Sequence, residues 1–172
     1  MSEDPRHSWE EYFLTMSTLV ATRSTCPRRA VGAVLVRDHR VIATGYNGAP
    51  SGQPHCTTVG CQIENGHCVR TIHAELNALL QCARYGISTA EVDLYCTDLP
   101  CRHCARALVQ AGIRTVYYSR EYESHETRAL FAANRVGLIQ LSAPSFPKEV
   151  IMTLNRGLLP ASWLAANGVN GP

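Results

Sequence analysis

The sequence predicts an α/β domain, a sheet covered by helices on both faces. Three observations predict it. The 172 residues suit one domain with a full core. A hydrophobic share of 45% beside 17% charged residues is that of a globular chain. From residue 92 onward, apolar runs of strand length alternate with segments of helical period, in the order βαβαβ. No internal repeat and no low-complexity tract interrupts this pattern.

The elements follow in order. Between Ser8 and about Thr22, Trp9, Tyr12, Phe13, Met16, Leu19 and Val20 recur at helical spacing, and Ser8 suits the N-cap. Residues 30–36 and 40–46 are β-rich, with Asp38 and His39 between them, and read as a hairpin. Asn47-Gly48 opens an irregular stretch to about Arg70, rich in Gly, Pro, Cys and His. A loop of that length calls for a function or a tie. A helix is expected from about His73 to Tyr85, stopped by Gly86, with Leu76, Leu79, Leu80 and Ala83 on one face. Strand 92–97 follows, then a helix from Pro100 to about Ala111, a strand over 113–118, a helix over 124–134 and a short strand over 138–141. We divide the chain into a domain over 1–144, with a cysteine-rich insertion over 47–70, and a C-terminal extension over 145–172. The extension reads as Pro-rich, partly helical and frayed at its end.

Charge and hydropathy exclude several classes. The 16 basic and 14 acidic side chains leave a net charge of +2 with no run of one sign. Neither a nucleic-acid backbone nor a membrane surface is therefore an expected partner. No run of about 18 apolar residues is present, and residues 1–7 carry no apolar export signal. We expect a cytoplasmic protein. In a reducing compartment its eight cysteines favour metal over disulfides.

Two segments carry the chemistry: Thr71-Ile72-His73-Ala74-Glu75 and Leu99-Pro100-Cys101-Arg102-His103-Cys104. Each opens a predicted helix, where the peptide dipoles favour thiolate over thiol. His73, Cys101 and Cys104 offer one imidazole and two sulfurs, the three-ligand set of a catalytic zinc with an open position. Glu75, two residues from His73, is near enough to shuttle protons without being a ligand. Zinc brings the pKa of its water toward about 7, so hydroxide is available at neutral pH. A redox Cys-x-x-C would need neither His73 nor Glu75. The competing reading is a structural zinc completed by Cys68 or Cys96.

With these two segments in place, the chain resembles the zinc-dependent cytidine deaminase-like superfamily, whose signature joins H-x-E to P-C-x-x-C. Within it the chain is similar to the bacterial deoxycytidylate (dCMP) deaminases, including late-competence proteins. The likeness runs from about Trp9 to Leu141. It also rests on Ser24-Thr25-Cys26, Val31-Gly32-Ala33-Val34, Gly45-Tyr46-Asn47-Gly48, the continuation Leu76-Asn77-Ala78, and Ala111-Gly112-Ile113. The resemblance implies a three-layer α/β/α fold with a five-stranded mixed sheet. It implies conversion of dCMP to dUMP and ammonia, with hydroxide attacking C4 and Glu75 passing protons to N3 and to the leaving group. It further implies a homo-oligomer (hexamer or dimer) regulated by dCTP and dTTP with Mg2+.

In such proteins a second, structural zinc pins the insertion. Here Cys26, Cys56, Cys61 and Cys68 are the best set, with His67 as the substitute for any one of them. Buried free thiols are the alternative. Cys82 and Cys96 read as core residues. For substrate contacts, Asn47 resembles the residue that binds the sugar hydroxyl; an Asn-Gly turn is the alternative, and the contact is preferred because the amide can do both. Arg28, or else Arg29, suits the 5′-phosphate. Tyr122 matches a tyrosine that closes over the nucleotide, and Ala74 belongs with these contacts. The competing functions are deamination of another cytosine nucleotide, free cytidine, guanine or tRNA adenosine, and a zinc-binding module without catalysis.

Overall fold

A computed structural model describes residues 7–122 and 125–144. The extension over 145–172 and the expected helix start at Ser124 lie outside these residues. The chain opens with helix α1 (Trp9–Ala21). Ser8 caps it: its Oγ accepts from Glu11 N at 3.1 Å, and Glu11 Oε2 accepts from Ser8 N at 3.1 Å. This reciprocal pair satisfies two donors that a helix start leaves free. Ser8→Ala should lower stability by about 1 kcal/mol, read from urea unfolding.

Strands β1 (Gly32–Arg37) and β2 (Arg40–Tyr46) form the expected hairpin. Asp38 and His39 both take positive φ, 49° and 56°, as a two-residue turn between twisted strands requires. The insertion is more ordered than its composition suggests. It holds a short helix α2 (Cys56–Val59) and a two-stranded ribbon, β3 (Ile63–Glu64) with β4 (His67–Cys68). Asn65-Gly66, with φ of 48° and 80°, makes its turn. An Asn-Gly pair is a strong hairpin signal, and here it went unread. By contrast, Asn47 and Gly48 are not among the positive-φ residues, so no such turn accounts for Asn47.

The second half runs α3 (Ala74–Tyr85), β5 (Val92–Asp98), α4 (Arg102–Gln110), β6 (Ile113–Arg120), α5 (His125–Ala133) and β7 (Gly137–Gln140). Five strands form one sheet in the order β2-β1-β5-β6-β7. The first three pair antiparallel and the last three parallel, so the sheet is mixed. Side chains alternate across it. Val34, Val36 and Tyr95 pack with Phe13 and Leu14 of α1. Ala33, Leu35, Leu94 and Cys96 face the other way, with Ala78 and Cys82 of α3, Leu108 of α4 and Phe131 of α5. Helices therefore cover both faces, and Cys82 and Cys96 are core residues as expected.

One face was misread. The side of α3 that meets the sheet is Ala74, Glu75, Ala78 and Cys82, whereas Leu80 is 52% exposed and Ala83 is exposed. The cause lies in β2. A Cβ on Gly45 would overlap the Ala74 carbonyl and the Ala78 amide and stand 3.1 Å from Ala78 Cα. Helix and strand approach so closely that only small side chains fit between them. Among the described residues, no helix is long and apolar enough to cross a membrane.

Candidate active site

Two helix starts build the site. His73 is the N-cap of α3 and Cys101 the N-cap of α4. Both have extended backbones, and neither side chain caps its own helix. Each is thereby free to face the other. Paired backbone bonds between Gly48 and Ile72, at 3.2 and 2.9 Å, tie the approach to His73 onto the end of β2. Asn77 adds a bond from its Nδ2 to Tyr46 O at 2.9 Å. On the other side, Leu99 N donates to Arg120 O at 2.9 Å, which fixes the approach to Cys101.

The result is a compact donor group. His73 Nδ1 stands 3.4 Å from both Cys101 Sγ and Cys104 Sγ. A nitrogen at about 2.0–2.1 Å and a sulfur at about 2.3 Å from one tetrahedral zinc stand about 3.6 Å apart, so the residues fit that ion. The hydrogen bond with Cys104 holds the Cys101 thiol far down, at about 3, against the effect of burial. The same bond, with burial, raises Cys104. Neither rival fourth ligand joins the group: Cys68 belongs to another cluster, and Cys96 is sealed in the sheet core. Among the described residues three donors converge with no fourth side chain, and they border a cavity, as an open site would.

Glu75 lies beside this group and is 4% exposed. Burial pushes its carboxyl up to about 7, with the Cys101 and Asp98 charges adding to the rise and His73 opposing it. A carboxyl poised there can both take and give a proton near neutral pH. His73, Ala74, Glu75 and Cys101 border a cavity of about 440 Å3, which Arg28, Arg29, Asn47 and Tyr122 also line.

The other expected contacts reach this cavity in different ways. The Asn47 side chain is engaged with backbone: Oδ1 accepts from Val31 N at 2.9 Å and Nδ2 donates to Arg29 O at 2.8 Å. One acceptor site and one hydrogen remain for a ligand. Arg28 Nη2 donates to Gly66 O at 3.1 Å. Arg29 sits over the Tyr122 ring, 4.7 Å from its centroid, and contacts Asp98. Asp98, Arg120 and Thr71 also line the cavity and were missed. Asp98 carried a signal, since an acid ending a run of apolar strand residues is out of place on hydropathy alone.

A second donor group occupies the insertion. The sulfurs of Cys56, Cys61 and Cys68 cluster, with Cys56 and Cys68 3.7 Å apart. Two sulfurs on one tetrahedral zinc stand about 3.8 Å apart. Burial pushes Cys61 up to about 12, and the nearby Cys26 sulfur is the next cause. Burial acts on Cys68 too, but hydrogen bonds from the Arg70 backbone and from Cys56 and Cys61 prevail and bring it to about 7. Cys26, buried near this cluster, is not one of its three members. His67 is not one either: its Nδ1 stands 3.2 Å from the Tyr122 hydroxyl.

Comparison with known proteins agrees with this geometry. Residues 7–120 match the family described as the cytidine and deoxycytidylate deaminase zinc-binding region. The chain belongs to this family. It is 52% identical over 120 residues to ComE operon protein 2 of Bacillus subtilis, covering 70% of this chain and 64% of that protein. It is 43% identical over 127 residues to the deoxycytidylate deaminase of Saccharomyces cerevisiae, covering 70% of this chain and 40% of that one. The chain thus spans less than two thirds of the length of these two relatives. The crystal structure of dCMP deaminase from cyanophage S-TIM5 in complex with dCMP and dUMP superposes with a TM-score of 0.71 and 31% identity. That match covers 81% of this chain and 100% of the phage chain. The α/β/α fold with a five-stranded mixed sheet is therefore the cytidine deaminase-like fold.

Proposed function

We propose that the chain hydrolyses dCMP to dUMP and ammonia. The observation that carries this reading is the convergence of His73, Cys101 and Cys104, without a fourth side-chain donor among the described residues, beside the buried Glu75 at a cavity. Bound to these three residues, zinc would supply Lewis-acid activation of water.

The chain's own residues do the rest. Glu75 takes a proton from the attacking water and delivers it to N3 of the cytosine. It takes a second proton from the new C4 hydroxyl and gives it to the departing ammonia, so one carboxyl serves both transfers. Burial raises that carboxyl, which favours the protonated form that hands a proton on. The spare donor and acceptor of Asn47 meet the sugar hydroxyl. Arg28 or Arg29 meets the 5′-phosphate, Tyr122 closes over the nucleotide, and Ala74 lies against the base. The test is ammonia release from dCMP, dCTP, cytidine and adenosine side by side. Release from dCMP and not from cytidine is expected, and release from adenosine alone would overturn the reading.

Cys56, Cys61 and Cys68 hold a second, structural zinc in this reading, with Cys26, which stands near the cluster but outside it, closing on the ion as the fourth ligand. Elemental analysis should find two zinc ions per chain, falling to one in Cys68→Ser with a lower thermal midpoint. One zinc in the unaltered protein would count against the second site. A homo-oligomer, dimer or hexamer, responding to dCTP and dTTP with Mg2+ belongs to the same reading. Light scattering with and without these nucleotides tests it.

A further inference from the structure

Two parallel strands end at the cavity with opposite charges. Asp98, last in β5, and Arg120, last in β6, stand opposite each other in register. They lie at the carboxyl ends of parallel strands, where α/β sheets bind ligands. Asp98 Oδ2 accepts from Arg120 Nη2 at 2.6 Å and from Thr97 Oγ1 at 2.7 Å. Asp98 Oδ1 stands 3.1 Å from Arg29 Nε. Arg120 Nη2 also donates to Ala30 O at 2.9 Å, while its Nε is buried without a hydrogen-bond partner among the described residues.

This arrangement is costly for a purely structural purpose. A buried carboxylate must be paired, and apolar residues of similar size would serve stability as well or better. Here one carboxylate, 4% exposed, faces two guanidiniums, so a positive excess remains beside the cavity. It is hydrogen-bonded to Arg120 and in ion-pair contact with Arg29, although its Oδ1 accepts no hydrogen bond among the described residues. A phosphate monoester carries about −1.5 to −2 charge near neutral pH and is bound best by a guanidinium fork. Arg28 has part of its own fork engaged on Gly66 O, at the ribbon turn of the insertion.

We propose that Asp98 is a positioning residue that sets Arg29 and Arg120 as the pair receiving the substrate's 5′-phosphate. This network then gives the site its preference for a nucleotide over a nucleoside. The inference rests on the dCMP reading above.

The test compares ammonia release from dCMP and from deoxycytidine, on the full chain, with thermal midpoints recorded for every variant. Arg120→Ala should raise KM for dCMP by about 10–100-fold, as loss of a charge-assisted hydrogen bond does, with a much smaller change in kcat. The ratio of kcat/KM for dCMP to that for deoxycytidine should fall by a similar factor. Arg120→Lys should restore part of the ratio, because it returns the charge without the fork. Asp98→Asn should lower the ratio in the same direction. Arg114→Ala removes the Arg114–Asp93 pair at the opposite end of the same two strands and should leave the ratio unchanged. If Asp98→Asn does not fold, the two Arg120 variants decide. An unchanged ratio in Arg120→Ala, or an equal loss on both substrates, overturns the inference alone. Absence of dCMP deamination by the unaltered protein overturns the substrate reading and this inference with it.

Discussion

Glu75→Gln should reduce kcat for dCMP by about 10²–10⁴-fold while leaving the zinc content unchanged. Glutamine keeps the size and hydrogen-bonding reach of glutamate but cannot carry a proton between water, N3 and ammonia. Glu75 is not among the clustered donors, so its loss should not release metal. The two readouts separate a proton carrier from a ligand. Equal loss of activity and zinc would make Glu75 a ligand, and retained activity would remove it from the mechanism. Burial favours the protonated form of the Glu75 carboxyl, whereas a surface glutamate near its ordinary value would remain ionised.

Gly45→Ala should lower stability by about 3 kcal/mol and the thermal midpoint by on the order of 10 °C. The added methyl would meet backbone atoms of Ala74 and Ala78, not flexible side-chain ends. Relief requires α3 to move off β2, and its first turn carries Glu75, with His73 just before it. A displacement of about 1 Å there can cost on the order of 10² in rate, so activity should fall even where the variant remains folded. A normal midpoint with normal kcat would show that the helix can slide without consequence. Gly32 has the same relation to α1, where a Cβ would meet Ser17 O and stand 3.0 Å from Ala21 Cα.

These two glycines show what was and was not legible. The existence of each main helix and strand followed from apolar period and turn residues, because those signals are local. The inward face of α3 was not legible. Leu76 and Leu80 outweigh Ala74, Ala78 and Cys82 in hydropathy, yet close approach to Gly45 selects the smaller set. Of the expected leucines, Leu79 packs against the edge of that set. The His73 group was readable because Cys-x-x-C and His-x-Glu each bring their chemistry within a helical turn, whereas the Cys56, Cys61 and Cys68 group was readable only as an excess of cysteines in one polar loop. The hairpin at Asn65-Gly66 also had a local signal, masked by the cysteines around it.

The sequence by itself determined the fold class and the family, and it singled out His73, Cys101 and Cys104 as candidate donors with Glu75 beside them. It did so because residue type and short spacing are enough to define a ligand set. Only the tertiary structure decided that, among the described residues, no fourth side chain joins the His73 group, that His67 turns to Tyr122, and that Asp98 joins Arg29 to Arg120. Those residues stand far apart along the chain. The pairing of β5 with β6 and the close seating of α3 on β2 bring them to one cavity, and no local pattern records such a distance.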